Sequence, residues 1–185
     1  MKTRSVWATG SPCGCESALQ LKRCLLQTPL GELTLMASPK GLVSLQWADR
    51  MHSTDRHLSR HLGTWSVQDV NALPSLSDGV LAYIHGDIHA LTGLSVDPPG
   101  TAFQRKVWAA LCTIPVGTTW SYAGLAKAIG QPNATRAVAN ANGKNPVPIV
   151  IPCHRVIASD GGLGGFSCGI QRKQWLLQHE GSLTG

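Results

Sequence analysis

The stretch SYAGLAKAIGQPNATRAVANAN, residues 121–142, contains two short helical patterns separated by a turn. Ser121 suits the N-cap of the first helix, and Gly130 is a residue at which that helix can end. Pro132 suits the first turn of a second helix, whose run ATRAVANAN is rich in alanine. A helix, a short glycine-containing turn and a helix predict a helix-turn-helix, although many helical proteins contain such a corner.

The residues before this stretch extend the helical part of the chain. Thr101 and Gln104 have the spacing of a capping box, and apolar residues from Phe103 to Leu111 follow at helical intervals. Further upstream, LSVDPPGT (94–101) ends in Pro-Pro-Gly, which is a stiff break and the best candidate for a linker. A domain boundary is therefore expected near residue 97.

The part of the chain before the linker has a sheet-like pattern. TPLGELTLMAS and LVSLQW alternate in polarity on either side of Pro39-Lys40-Gly41, which predicts a hairpin. Residues 51–63 and 76–84 are helical candidates, and residues 1–20 read as an irregular leader. The chain is therefore predicted to be an α+β protein of two domains, with boundaries at 1–20, 21–97 and 98–185.

Composition and charge narrow the class of protein. Hydrophobic residues make up 43% of the chain, and no apolar run approaches the roughly 20 residues of a membrane span. The start MKTRSVWATGSPCGC is a poor secretory signal, so the six cysteines are expected to be reduced. We therefore expect a cytoplasmic protein, or a nuclear one in a eukaryote.

The net charge of +6 lies entirely in residues 101–185, which hold eight Lys or Arg but only Asp160 and Glu180 as carboxylates. An excess of positive charge in one half of the chain is typical of a protein that binds a polyanion. A basic solvated surface explains the charge equally well, so charge alone leaves both interpretations open.

The segment PVPIVIPCHRVIASDGG (146–162) places a thiol beside an imidazole. Its prolines exclude a helix and a central strand, so we predict an extended segment, buried at Ile149–Ile151 and bent at Pro152. Cys153 is an inert core residue, a metal ligand or a nucleophile. Cys24 and Cys112 are expected to be small buried hydrophobic residues.

A metal site is the weaker alternative. Several cysteines and histidines have suggestive spacing, but they complete no four-ligand set of a familiar kind, so no metal and no cofactor are predicted. These candidates are the pairs Cys13 and Cys15, His57 and His61, and His85 and His89.

A nucleophilic cysteine needs a base, because a free thiol has a pKa of about 8.5. His154 is adjacent, yet neighbouring side chains of a strand point to opposite faces, so a bend or a bridging water is required. A histidine base is usually oriented by a carboxylate, and the choice lies between Asp160 and Glu180. Glu180 ends the last predicted helix, where a negative charge is unfavourable, and this hints at a partner.

The residues IPCHRVI (151–157) resemble the active-site signature of the O6-alkylguanine-DNA alkyltransferases, also called methylated-DNA–protein-cysteine methyltransferases. The resemblance is strong from Thr101 to Gly181, thins over residues 25–100 and is absent from residues 1–20. The motifs that carry it are FQRKVW, IPVG, SYAGLA, RAV, NGKNPVP and WLLQHEG.

The resemblance implies a ribonuclease-H-like α/β domain followed by a helical domain with a winged-helix-like helix-turn-helix. It implies DNA repair by irreversible, single-turnover transfer of a methyl or larger alkyl group from O6 of a flipped-out guanine to Cys153, with O4-alkylthymine left open. The implied partner is double-stranded DNA that carries an alkylated guanine. We expect a monomer, with cooperative binding on DNA left open.

The resemblance also implies roles for individual residues. His154 would deprotonate Cys153 through a water, Glu180 would orient His154, and Asn145 would brace the turn before the thiol. Tyr122 would pack against the DNA backbone and help rotate the nucleotide, and Arg136 would fill the vacated space in the stack. Further expected DNA contacts are Gln131, Ser159 and Gln104, and the guanine pocket would be lined by Val156, Ser167 and Tyr122.

Two other functions compete with this reading. A non-catalytic binder of alkylated DNA would have its nucleophile replaced, commonly by tryptophan, and Cys153 argues against that. A helix-turn-helix transcription regulator with a structural cysteine leaves the pairing of His154 with Glu180 unexplained. The chain departs from the family pattern at Ala139-Asn140, at Phe166, where tyrosine is frequent, and at Cys168, where glycine is frequent.

Overall fold

The computed structural model describes residues 18–183, which hold a four-stranded sheet, a two-stranded sheet and six α-helices. The four-stranded sheet has the order β3-β2-β1-β4, in which β1 pairs antiparallel with β2 and parallel with β4. The predicted hairpin is confirmed, because β2 and β3 pair antiparallel across the turn at Pro39-Lys40. The strands are β1 (Leu19–Leu26), β2 (Leu33–Ser38), β3 (Gly41–Trp47) and β4 (Trp65–Asp69).

The first strand begins earlier than expected, since the leader was predicted to extend to residue 20 and β1 starts at Leu19. Leu19 pairs with Trp65 of β4, so a partner more than forty residues away fixes the start of the strand. The rest of the leader, with Cys13 and Cys15, lies outside the described residues.

Two helices, α1 (Met51–Leu62) and α2 (Leu76–Ile84), accompany the sheet as predicted. One face of the sheet packs on Leu58 of α1. The opposite face joins the main core, which also contains Val80 and Tyr83 of α2 and the apolar residues of the helical domain. The sheet therefore lies between α1 and the part of the chain that carries Cys153.

The helical part contains α3 (Ala102–Leu111), α4 (Tyr122–Ala128), α5 (Thr135–Gly143) and α6 (Ile170–His179). Short parallel strands β5 (Trp120–Ser121) and β6 (Val156–Ile157) join the helix-turn-helix to the segment after Cys153. None of the described helices is long and apolar enough to cross a membrane.

The predicted helix starts occur at two of three places. Thr101 and Gln104 form a full capping box on α3, and Ser121 Oγ accepts the Gly124 N–H at 3.0 Å on α4. Pro132 does not open α5, because the Ala134 N–H is bonded to the Gln131 carbonyl and the chain turns once more before Thr135.

The segment that was predicted as a linker is fixed against the sheet. The Leu42 N–H donates to the Ser95 carbonyl, and the Asp97 N–H donates to the Leu42 carbonyl, both at 2.9 Å. Gly100 packs so closely on Trp108 that a Cβ would lie 2.6 Å from its ring. The two domains are therefore joined by a rigid connection.

Candidate active site

The segment before Cys153 is a tight turn, which corrects the prediction of an extended strand. Residues 148–150 form a hydrogen-bonded turn closed by the Ile151 N–H on the Val147 carbonyl at 2.9 Å, and Ile149 has a φ of 74°. This region of φ is strained for a β-branched residue and persists only where the surroundings hold it. Ile149 and Ile151 are buried as predicted, so the surrounding core supplies that restraint.

Asn145 spans this turn with its side chain. Its Nδ2 donates to the Ile151 carbonyl at 2.7 Å, and its Oδ1 accepts the Val147 N–H at 2.9 Å. The β3 strand holds the same turn from outside, because the Leu45 N–H donates to the Pro146 carbonyl at 2.9 Å. The N-terminal sheet therefore takes part in positioning Cys153.

Cys153 opens a short 3₁₀ turn, Cys153–Arg155, and is 2% exposed. The Asn142 amide of α5 donates to its carbonyl at 3.3 Å, which ties the thiol segment to the helix-turn-helix. Burial raises the pKa of Cys153 to about 12, and the charge of Lys173 only partly opposes this rise. The resting thiol is therefore protonated at neutral pH.

Glu180 is buried and accepts hydrogen bonds on both oxygens. Its Oε1 accepts from His154 Nε2 at 3.1 Å, from Arg155 Nη2 at 2.8 Å and from the Tyr83 hydroxyl at 2.8 Å. Its Oε2 accepts from Arg155 Nε at 2.7 Å. Burial alone would raise the pKa of Glu180, but the bonds from His154 and Arg155 outweigh it and lower the pKa to about 2.

The ionised carboxylate decides the tautomer of His154. A carboxylate only accepts hydrogen bonds, so Nε2 carries the proton and Nδ1 keeps its lone pair. Burial lowers the pKa of His154, although the bond to Glu180 opposes this, and the ring is neutral. Among the described residues, Nδ1 has no hydrogen-bond partner. It is the basic atom next to the thiol segment.

Lys173 of α6 is fully buried near Cys153. Its Nζ donates to the Val156 carbonyl at 2.6 Å and to the Leu163 carbonyl at 2.5 Å, so it anchors the glycine-rich loop. Burial lowers the pKa of Lys173 to about 8, while the charge on Cys153 would raise it. A thiolate at Cys153 would thus be stabilised by this ammonium group.

A cleft of about 440 Å³ opens beside this cluster, between α5 and the glycine-rich loop. Tyr122, Asn142 and Ser167 line it, and the Tyr122 hydroxyl donates to the Gly165 carbonyl at 3.4 Å. Phe166 also lines the cleft, while Val156 is fully buried, with its carbonyl bonded to Lys173. Cys168 is buried, and its Sγ lies 3.8 Å from Gln46 Oε1.

The residues predicted to contact DNA occupy different positions. Arg136 is exposed on the first turn of α5, Gln131 is exposed in the turn before it, and Ser159 is exposed after β6. Gln104 is different, because its Oε1 accepts the Thr101 N–H at 2.8 Å and the residue is only 9% exposed. Gln104 belongs to the cap of α3, and its contact with DNA stays a prediction.

Three residues of the site were not assigned a role by sequence reasoning. Arg155 lies within the motif IPCHRVI, and the shortage of carboxylates in this half could have suggested Glu180 as its partner. Lys173 occupies an inward position of α6 two turns before Glu180, where an apolar residue is usual. Tyr83 had no such signal, because it lies 97 residues from Glu180.

Among the remaining candidates that the structure describes, His57 and His61 lie together on α1, with ring centroids 4.7 Å apart. Within residues 18–183, no three Cys, His, Asp or Glu side chains lie close enough to hold a metal. His85 follows the end of α2, so it does not share a helix face with His89. Cys24 is buried as predicted, but Cys112 is exposed because it lies beyond the last turn of α3.

Two family models match the chain. Residues 21–98 match the model described as 6-O-methylguanine DNA methyltransferase, ribonuclease-like domain. Residues 102–182 match the model described as 6-O-methylguanine DNA methyltransferase, DNA binding domain. The first range covers the four-stranded sheet with α1 and α2, and the second covers α3 to α6.

Full-length relatives are similar over most of the chain. A Salmonella typhimurium protein named methylated-DNA–protein-cysteine methyltransferase is 42% identical over 169 residues, which is 89% of this chain and 98% of that protein. A Mycobacterium tuberculosis protein of the same name is 40% identical over 157 residues, covering 85% of this chain and 90% of that protein.

Solved structures resemble the fold over the same span. The crystal structure of Mycobacterium tuberculosis OGT in complex with DNA has a TM-score of 0.73 at 37% identity and covers 87% of this chain and 93% of that one. The O6-methylguanine-DNA methyltransferase of Pyrococcus kodakaraensis has a TM-score of 0.70 at 27% identity and covers 87% and 99%.

Proposed function

The chain belongs to the methylated-DNA–protein-cysteine methyltransferase family, and from this premise we propose that Cys153 is the residue that accepts an alkyl group from O6 of guanine in duplex DNA. The protein repairs DNA by alkyl transfer to a cysteine. DNA is its partner, as the matched DNA-binding domain and the DNA complex of the Mycobacterium tuberculosis relative support.

The observation that carries the assignment is the hydrogen bond from His154 Nε2 to Glu180, next to a buried thiol. This bond leaves His154 Nδ1 as a proton acceptor, which is the arrangement that a base for Cys153 requires. Asp160, the other carboxylate in this half, is exposed and caps its own loop through the Gly162 N–H. Glu180 is therefore the residue proposed to orient His154.

The proposed reaction conserves its protons. The Cys153 Sγ–H proton passes through one water to His154 Nδ1, and the thiolate attacks the alkyl carbon as the carbon–O6 bond breaks. The proton held on His154 Nδ1 returns through the water to the guanine as it leaves, so His154 becomes neutral again and no net proton is taken up or released. Since the pKa of Cys153 is about 12 in the free protein, deprotonation is expected to accompany the transfer. Lys173 would stabilise the transient thiolate.

The product is a thioether on Cys153, and no group in the cluster can remove the alkyl carbon again. Each molecule therefore acts once, and the protein is a stoichiometric reagent. O4-alkylthymine carries its alkyl carbon in a related position, and whether the cleft accepts it depends on the fit of a pyrimidine beside Tyr122 and Ser167.

Access to the buried alkyl carbon requires that the nucleotide leaves the base stack. We assign this step to the helix-turn-helix, with Arg136 on the exposed first turn of α5 filling the vacated space and Tyr122 guiding the nucleotide into the cleft. Gln131 and Ser159 are exposed and are proposed to contact the backbone. Such contacts read no sequence, as a repair protein requires.

The competing function is that of a lesion binder without chemistry. It is not favoured, because the chain matches a relative that is named a methyltransferase over 98% of that protein's length. In addition, Cys153 is present beside His154, which is bonded to Glu180. The protein is proposed to act as a monomer.

Intact-mass measurement tests the proposal. The protein is mixed with a duplex that carries one O6-methylguanine, and we expect a mass gain of one methyl group that maps to Cys153. A duplex with unmodified guanine and the variant Cys153→Ser are the controls. Tight binding to the lesion with no gain in mass would overturn the proposal and favour the lesion binder.

A further inference from the structure

Tyr83 of α2 reaches Glu180 from the N-terminal domain. It is fully buried, and its hydroxyl donates a hydrogen bond of 2.8 Å to Glu180 Oε1. An ionised carboxylate only accepts hydrogen bonds, so the phenol is the donor. Burial and the charge of Glu180 both raise the pKa of Tyr83, so the proton stays on the hydroxyl. The N-terminal domain therefore contributes one donor to the carboxylate that is bonded to His154.

The last turn of α6 fixes the ring of Tyr83. His179, the residue before Glu180, has its Nε2 2.6 Å from the Tyr83 carbonyl, and because a carbonyl only accepts, Nε2 is the donor. The rings of His179 and Tyr83 also meet edge to face, with centroids 5.0 Å apart, and His179 stacks on Trp175 at 4.4 Å. The phenol is thus held by the same turn that carries Glu180, which gives its hydroxyl a fixed direction towards Oε1.

Three donors share Glu180 Oε1. Besides Tyr83, it accepts from Arg155 Nη2 at 2.8 Å and from His154 Nε2 at 3.1 Å. A carboxylate oxygen offers about two lone-pair sites, so a third donor competes with the other two. The His154 bond is the longest of the three, and it exceeds the length of about 2.7–2.9 Å that is typical of bonds to an ionised partner. The Tyr83 hydroxyl therefore reduces the negative charge that Oε1 presents to His154.

The contribution of Tyr83 differs from that of Arg155. Arg155 binds both oxygens of Glu180, and this pair of bonds already fixes the plane of the carboxylate. Tyr83 binds Oε1 alone, so what it adds is a change of charge at the oxygen that is bonded to His154.

The basicity of His154 depends on this oxygen. Burial lowers the pKa of His154, and the charges of Arg155 and Lys173 lower it further. Glu180 opposes all three, because its hydrogen bond and its charge favour the protonated ring. A weaker bond from His154 to Oε1 therefore makes Nδ1 less basic.

We propose that Tyr83 is a positioning residue for alkyl transfer, because its hydrogen bond to Glu180 limits the basicity of His154. The inference rests on the proposed function, in which His154 Nδ1 takes the Cys153 proton through a water. It makes α2 of the N-terminal domain a part of the site, and loss of the hydroxyl should give a stronger base. A role in packing alone would have the opposite effect, since a loosened site transfers more slowly.

Tyr83→Phe tests the inference with free O6-benzylguanine. The variant keeps the ring against His179 and removes the hydroxyl, so the rate constant of transfer to Cys153 at pH 7 should rise about two- to three-fold. Ser77→Ala is the matched control, because it removes a buried hydroxyl of α2 that is bonded to the Leu73 carbonyl, and it should react at the wild-type rate. An unchanged or lower rate in Tyr83→Phe would overturn the inference.

A double variant shows whether Tyr83 acts through Glu180. Glu180→Gln removes the charge that the hydroxyl is proposed to limit, so adding Tyr83→Phe in this background should leave the rate of transfer as it is in Glu180→Gln alone. A change as large as the one in the wild-type background would place the effect elsewhere and overturn the inference.

The ring proton on His154 Nε2 gives a measurement that needs no substrate. In protein labelled with nitrogen-15 histidine, its resonance is the one that His154→Gln removes. Tyr83→Phe should move this proton downfield, because its bond to Oε1 shortens, and Ser77→Ala should leave it in place. No shift, or an upfield shift, would overturn the inference. Absence of transfer in the wild-type protein would instead overturn the proposed function, and with it the role in transfer, whatever the shift.

Discussion

Arg155 donates hydrogen bonds to both oxygens of Glu180, with Nε 2.7 Å from Oε2 and Nη2 2.8 Å from Oε1. The same guanidinium donates through Nη1 to the Ile114 carbonyl at 2.5 Å. Arg155, the residue that follows His154, therefore holds in place the carboxylate to which His154 is bonded. Cys153, His154 and Arg155 are consecutive, so one short turn carries the thiol, its proposed base and the group that fixes the base's partner.

Replacing Arg155 should be costly for stability. Arg155→Met leaves Glu180 buried with less compensation, and removal of one partner of a buried ion pair typically costs about 3–5 kcal/mol. Arg23 forms a similar two-bond pair with Asp69 on the surface, where solvent screens the charges, so Arg23→Met should cost much less. Urea denaturation of both variants measures the difference, and equal losses would contradict a structural role for the buried pair.

Acid should unfold the protein through Glu180. Its pKa of about 2 in the folded state lies below the unfolded value of 4.5, so its contribution is complete above pH 4.5 and is lost as the pH falls towards 2. The gap corresponds to roughly 3 kcal/mol. Glu180→Gln should flatten the free energy of unfolding between pH 4.5 and 2, and Asp160→Asn should follow the wild-type curve. An unchanged slope in Glu180→Gln would refute this account.

Cys153 should be a poor nucleophile in the free protein. With a pKa of about 12, it should react with iodoacetamide only slowly at pH 7, and the rate should keep rising beyond pH 9. Lys173→Met removes the nearby ammonium group and should slow the reaction further. Peptide mass spectrometry of timed samples gives the rates, and a rate that has already reached its plateau at pH 7 would contradict the assignment of a protonated thiol.

Asn145 should be needed for the shape of the turn before Cys153. Asn145→Ala leaves the Val147 N–H and the Ile151 carbonyl without their partner in a buried place, which should cost about 1–3 kcal/mol. The variant should also transfer from free O6-benzylguanine more slowly, since the thiol is displaced. Asn133→Ala, on the exposed α4–α5 turn, serves as the control and should change neither measurement.

Arg136 should matter only when the substrate is part of a duplex. Arg136→Ala removes the side chain proposed to fill the stack, so the rate on a methylated duplex should fall at least ten-fold. Its rate with free O6-benzylguanine should stay at the wild-type level, and Lys127→Ala on α4 is the matched control. An equal loss of rate with both substrates would contradict the role assigned to Arg136.

Local patterns predicted the elements well where the determinants are close in sequence. The capping box at Thr101 and Gln104, the cap at Ser121 and the hairpin around Pro39-Lys40 all depend on residues within a few positions of each other. The start of β1 at Leu19 depends on pairing with β4, which no local pattern contains.

The site shows the same division. Cys153, His154 and Glu180 were predicted from the motif and from the shortage of carboxylates, and the structure brings them together. The prediction of an extended segment at Ile149 was wrong. The residue has a positive φ, in a turn that is held by Asn145 and by β3. Part of the positive charge in residues 101–185 is not available to a polyanion. Internal hydrogen bonds of the protein engage Arg155, Arg172 and Lys173.

The order of these groups along the chain has a consequence for biosynthesis. His154 leaves the ribosome 26 residues before Glu180, which is about 1–5 s at common rates of translation. During that interval the chain lacks both the hydrogen bond from His154 to Glu180 and the ion pair between Arg155 and Glu180. The burial of Cys153 among these groups is therefore complete only after the last helix and Glu180 have been synthesised.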